Sequence, residues 1–129
     1  MSDYHEPTGE LPNLVRDHVR ILHSLREEVE AVDWYNQRMA AATDPAARDV
    51  LRHNRDEEME HASMALEWLR RNMDGWDEAL RTYLFTQGDL IELEEEAEGG
   101  SGGSGGSGSR RAGDDPDLGI GSLRSKGGE

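Results

Sequence analysis

Glu58 and His61 stand three residues apart within "HNRDEEMEHASMALEW", residues 53–68. That spacing places two side chains on one face of a helix, so a carboxylate and an imidazole can converge on a single point. Helical di-iron proteins use two such Glu-x-x-His pairs together with two further glutamates. This chain holds one plausible pair and one further glutamate in register, Glu28 in "EEVEAVDWYNQR". That is half of a metal site.

With 28 acidic residues and 5 histidines the bare motif arises easily by chance, so its position has to carry the argument. Leu11, Leu14, His18, Ile21, Leu25, Glu28, Val32 and Tyr35 recur at steps of three and four, the period of one helical face. Leu51, Asn54, Glu58, His61, Ala65 and Trp68 form a second such stripe. Glu28, Glu58 and His61 thus occupy seam positions where apolar side chains belong. A desolvated glutamate is costly there unless it is paired or bound to metal, and the only lysine is Lys126. A slightly rotated second helix would instead leave Glu58 at the surface and His61 as a hydrogen-bonded core histidine.

The stripes predict the elements that carry them. A first helix runs from about Leu11 to Ala42, with Pro12 in its first turn and "TDP" as the turn that follows. Asp44-Pro45 reads as an N-cap and a proline at the first helical position. The second helix then continues to about Met73, ended by "MDG" around Gly75. A short third helix fits Trp76 to Phe85 with Asp74 as its cap, and "DLIELEEEAE" adds a last turn or frays. Two long helices joined by a few residues lie antiparallel. The expected fold is all-α: an antiparallel two-helix hairpin plus a short third helix.

One hairpin cannot cover both of its own apolar stripes, so it is expected to dimerise into a four-helix bundle. A two-fold axis then brings together two Glu28, two Glu58 and two His61. That set of four glutamates and two histidines is a di-iron carboxylate site, with two irons per dimer interface. Zinc and manganese suit the same ligands. Paired metals roughly 3.5–4 Å apart can handle a small oxygen species between them, which is the chemistry of dioxygen reduction by ferrous iron.

Composition narrows the partners. The formal net charge is −14, from 28 acidic and 14 basic residues, whereas nucleic-acid binding needs a basic face. The absence of cysteine excludes disulfides, zinc fingers and iron–sulfur clusters. No apolar run approaches the length that spans a bilayer. "MSDYHEPTGELPN" lacks the basic and apolar regions of a signal peptide. The expectation is a soluble, cytoplasmic chain with no nucleic-acid and no membrane partner. It divides into a flexible N-terminus (1–10), a helical domain (11–96), a Gly/Ser-rich linker (97–116) and a tail (117–129).

The tail is expected to be disordered, yet "DDPDLGIGSLRSKGGE" contains Leu118, Ile120 and Leu123. In extended backbone Leu118 and Ile120 point the same way, and the intervening glycines allow close approach. The Gly/Ser run from Gly99 to Ser109 gives a reach of roughly 20 Å at about 5–6 Å × √n. This has the form of a docking peptide on a tether. Elsewhere, Glu27 and Glu30 flank the seam as a cation relay or a solvated edge, Trp34 and Trp68 read as packing residues, and His53 lies one residue from the seam.

"EEVEAVDWYNQR", "HNRDEEMEHASMALEWLRRN" and "LRTYLFT" resemble the encapsulated ferritins, and "DLGIGSLR" resembles their encapsulin-targeting peptide. The resemblance covers about residues 12–86 and 117–124. It implies a ferritin-like four-helix bundle made by two hairpins, with a ferroxidase centre between the chains that oxidises Fe(II) with dioxygen. It further implies a ring, typically of five dimers, inside an encapsulin nanocompartment where the ferric product is stored. Carried onto this sequence, the iron ligands are Glu28, Glu58 and His61. Glu27, Glu30 and Trp34 match the site through which metal enters, and Tyr35 matches a tyrosine beside the ligands. Leu118, Gly119, Ile120, Gly121, Ser122, Leu123 and Arg124 match the shell-docking peptide. The very regular Gly/Ser linker departs from the family pattern. Two other classes fit less well: a non-enzymatic helical adaptor leaves the seam carboxylates without a role beyond register, and a hemerythrin-like oxygen carrier needs more histidines.

Overall fold

The computed structural model describes residues 4–100. Those residues form a short 3-10 turn at Thr8–Glu10 followed by α1 (Asn13–Ala41), α2 (Pro45–Asn72), α3 (Trp76–Tyr83) and α4 (Leu90–Gly99). Among the described residues there is no strand. The all-α hairpin read from the stripes is the fold observed.

Local chemistry sets the boundaries. Pro12 precedes α1 in extended conformation, so its missing N–H falls where no helical bond is needed. At the other end Ala42 is extended, and the chain turns through Thr43 into Asp44-Pro45. The Asp44 carboxylate accepts the Ala47 N–H at 2.9 Å and Pro45 opens α2, as the sequence indicates. The cap assigned to Asp74 differs: Gly75 occupies the N-cap of α3 with no side-chain bond. Its φ is +98°, a conformation glycine takes without a Cβ penalty, and the backbone bend itself starts the helix. "DLIELEEEAE" is neither a last turn nor frayed. It is a separate ten-residue helix whose cap, Asp89, accepts the N–H groups of Ile91 and Glu92, both at 3.0 Å.

Contacts between α1 and α2 run in reverse order along the two helices, which makes them antiparallel. His18 meets the Asn72 carbonyl at 2.7 Å, Glu28 faces His61, and Arg55 donates to Asn36 at 3.0 Å. At the first of these points the Trp68 ring meets His18 edge-on at 6.0 Å, consistent with a packing role. Only Ala65 and Leu69 are buried among the described residues, both on α2, while Leu14, Val29, Val50 and Met64 are more than half exposed. Ile21, Leu25 and Val32 of the α1 stripe are half-buried, so one protomer covers that stripe only in part.

An ion network joins α2 to α3. The Arg70 guanidinium grips both oxygens of Glu67 at 2.6–3.1 Å and reaches Asp77 at 2.6 Å. Arg71 donates to Glu67 at 2.7 Å and Arg81 to Asp77 at 2.8 Å. The hydrogen bonds from Arg70 and Arg71 pull the Glu67 carboxyl down to about 2 from the ordinary 4.5. A carboxylate whose folded value lies below its unfolded value stabilises the fold above the unfolded value and ceases to do so as pH falls through the folded one. Glu67→Gln should accordingly lower the melting temperature at pH 7, with the difference from the parent closing between pH 4.5 and about 2. Thermal circular dichroism across that range is the measurement. A difference independent of pH would mean that Glu67 acts by packing.

Candidate metal centre

α1 and α2 present Glu28, Glu58 and His61 to one another at mid-length. One oxygen of Glu28, one of Glu58 and one nitrogen of His61 all lie within 4.8 Å of each other. Among the described residues this is the only group of three or more His, Asp or Glu side chains that converges in this way. His61 Nδ1 stands 3.3 Å from Glu58 Oε2 and 3.7 Å from Glu28 Oε2. Helix periodicity aligns Glu58 with His61, and the antiparallel register brings Glu28 opposite both.

The three groups perturb one another's protonation. The Glu58 carboxylate, by hydrogen bond, holds the Glu28 carboxyl above the ordinary carboxylate range, with burial and repulsion acting the same way. Glu58 is held below that range, first by the Glu28 hydrogen bond and then by His61. These opposite shifts have one cause, the crowding of two carboxyls, which makes it costlier for both to be ionised together. His61 is raised, first by its hydrogen bond to Glu58 and also by the charges of Glu28 and Glu57. Negative charge is thus concentrated between the two helices.

The donor set suits a divalent cation of the first transition row. Oxygen and nitrogen ligands about 2.0–2.2 Å from such an ion stand roughly 3.0–3.4 Å from one another, and the observed 3.3 and 3.7 Å are close to this. Two carboxylates and an imidazole match iron, manganese and zinc chemistry. They make one glutamate and one Glu-x-x-His, half of the four-glutamate, two-histidine set of a di-metal bundle. The His61 side chain is 44% exposed, so the centre is open on one side.

The other sequence-derived site residues stand apart from this group. Glu27 and Glu30 are exposed and do not join the three converging ligands. Glu27 does repel negative charge on Glu28, so the two are electrostatically linked. Trp34 is 49% exposed, whereas the Trp68 ring packs edge-on against His18. Tyr35 is half-buried with the Arg38 guanidinium 5.4 Å above its ring. His53 pairs with Glu57 at 3.7 Å on the exposed side of α2. Glu57, whose charge reaches His61, escaped the sequence reading because it lies outside the seam. Its signal was the four-residue spacing to His53. The peptide Leu118–Arg124 lies outside the described residues, and no helix among those described is long and apolar enough to cross a membrane.

Comparison with known proteins bears on the same segment. A Thermotoga maritima ferritin-like protein is 64% identical over 96 residues, which are 74% of this chain and 84% of that protein. An encapsulated ferritin-like protein of Rhodospirillum rubrum is 52% identical over 123 residues, 95% of this chain and 88% of the relative. A protein of Nitrosomonas europaea solved by crystallography superposes with a TM-score of 0.66 at 52% identity, covering 69% of this chain and 98% of that one. Residues 3–87, which include every seam position and all three converging side chains, match the EncFtn-like family, and the chain belongs to it.

Proposed function

We propose that the chain is a ferroxidase that oxidises Fe(II) to Fe(III) with dioxygen at a di-iron site shared by two copies, feeding iron storage inside an encapsulin nanocompartment. The observation that carries this reading is the convergence of Glu28, Glu58 and His61 within 4.8 Å on a hairpin whose described residues bury only Ala65 and Leu69. A second hairpin laid on that seam supplies the matching three ligands and completes the four-helix bundle. The resemblance of Leu118–Arg124 to a shell-docking peptide, and the name carried by the Rhodospirillum rubrum relative, support the compartment. A ring of five dimers is the assembly the family resemblance implies.

Iron is the substrate here. Each Fe(II) gives up one electron, so two Fe(II) with two protons take dioxygen to hydrogen peroxide, and two more Fe(II) with two protons take the peroxide to two waters. Glu28 and Glu58 bind the incoming cation and offset its charge, and the imidazole of His61 binds from the third direction. Each ligand must be deprotonated to bind, so any proton held on Glu28, Glu58 or His61 leaves to solvent as the ion arrives. Glu27, Glu30 and Trp34, exposed on α1, would receive iron before it reaches Glu28. The half-buried Tyr35 would line the approach.

A site split between chains couples metal binding to association. A ligand that binds only the dimer shifts its formation by about 2.7 kcal/mol at 100 times Kd, on the order of 100-fold in the association constant. Anaerobic Fe(II), or Zn(II) as a redox-inert probe, should therefore convert monomer to dimer and higher assemblies in size-exclusion chromatography with light scattering. A monomer fraction that stays constant over a wide metal range would rule out a shared site.

A further inference from the structure

Arg55 stands three residues before Glu58 on α2, a spacing that puts both side chains on one helix face. Three other arginines at that distance from an acid pair with it. Asp17 meets Arg20 at 2.6 Å, Asp49 meets Arg52 at 3.1 Å and Glu67 meets Arg70 at 2.6 Å. The acid comes first in each, which is the better order, but either order leaves the two groups as neighbours. Arg55 turns elsewhere. Its Nε and one terminal nitrogen donate to a single oxygen of Asp56, at 3.1 and 3.0 Å. The other terminal nitrogen crosses to α1 and donates to Asn36 at 3.0 Å.

This arginine is also poorly placed to find water instead. Its side chain is 19% exposed, against 66% for Arg20 and 50% for Arg52. The groups that shift the Glu58 carboxyl are Glu28 and His61, and the guanidinium one turn away is not among them. Asp56 offsets its charge, and Asn36 fixes the direction in which it points. A guanidinium is a permanent cation whose planar fork matches a carboxylate. Within one turn of α2 it is the natural rival of a metal ion for Glu58. None of Arg55, Asp56 and Asn36 belongs to the converging group itself.

We propose that Asp56 and Asn36 hold the Arg55 guanidinium off Glu58 and so keep that carboxylate open to a divalent cation. The inference rests on Glu58 being a metal ligand. Asp56 is then a positioning residue that acts through Arg55 without touching the metal. Removing Asp56 leaves a largely covered guanidinium without its counter-charge, which is costly, and the carboxylate on its own helix face is Glu58. Apparent affinity falls with the fraction of protein competent to bind. A Glu58 held by Arg55 for about 70–90% of the time therefore binds metal about 3–10-fold more weakly.

Calorimetric titration of the full-length protein with Zn(II) tests this, with Glu58→Ala defining the part of the binding that depends on Glu58. Asp56→Asn should weaken that part by about 3–10-fold, and the charge-neutral Asn36→Ala should weaken it in the same direction by less. The double variant Asp56→Asn/Arg55→Gln should recover most of the loss, because the rival has gone with its partner. A merely structural clamp predicts the opposite, since the double variant also lacks the tie to Asn36. Parental affinity in Asp56→Asn, or a double variant no tighter than the single one, would overturn the proposal. Parental affinity in Asn36→Ala would reduce Asp56 to a source of negative charge and overturn its positioning role. If Glu58→Ala bound Zn(II) as the parent does, the ligand assignment would fail and the proposal with it. If Glu58→Ala lost binding while Asp56→Asn kept it, the positioning role alone would fail.

Discussion

Glu58→Ala should lower the initial rate of Fe(II) oxidation by more than about 100-fold. Loss of an outer partner of a metal ligand already costs about 10–100-fold, and Glu58 is one of three converging ligands. A two-fold site loses it twice. Glu58 is also the carboxylate that both Glu28 and His61 lean on: its hydrogen bonds are the first cause of both of their shifts. Its removal should therefore return those two groups toward their ordinary ranges as well as delete a ligand. Glu28→Ala and His61→Ala should follow with similarly large losses. Oxidation is read as ferric absorbance after mixing with dioxygen. A structural cause can be told apart, since deleting a crowded like charge relieves repulsion. Apo Glu58→Ala should keep its helical circular dichroism and melt no lower than the parent. A near-normal oxidation rate in this variant would sink the ligand assignment.

The hairpin was legible because two stripes of period 3.6 run along most of α1 and α2, and a polar residue inside such a stripe stands out. Glu28, Glu58 and His61 were each visible in that way, and the antiparallel register that the short Asp44-Pro45 turn enforces brings them together. Helix ends were readable where one side chain does the capping, as at Asp44. They were misread where the backbone does it, as at Gly75. α4 was missed because its four apolar and five acidic residues give no clear stripe, and its start depends on Asp89 bonding two amides. The packing of α3 on α2 could not be read from spacing at all. It depends on the Arg70–Glu67–Asp77 network, a contact between elements that no period encodes. Trp34 shows the opposite limit: read as a packing residue, it is half exposed in the protomer.

Deleting residues 117–129 should leave Fe(II) oxidation unchanged and abolish packaging in an encapsulin shell. All three converging ligands belong to α1 and α2, and the Gly/Ser run separates them from Leu118, so neither end should report on the other. Docking energy should come mostly from Leu118, Ile120 and Leu123, at about 1.5–3 kcal/mol for each side chain fully buried. Part of that is lost in ordering a tethered segment, so one peptide binds weakly. An assembly that presents many copies to a closed shell turns weak sites into retention through effective concentration, and loss of the shared apolar anchors should then be felt cooperatively. Leu118→Asp/Leu123→Asp should reproduce the deletion, because a carboxylate placed in an apolar pocket costs more than a missing methyl group. Co-expression with an encapsulin shell, followed by co-purification and an oxidation assay on the cargo, measures both halves. If the double variant were packaged at the parental level, the segment would be a bystander and another surface of the helical body would have to make the contact.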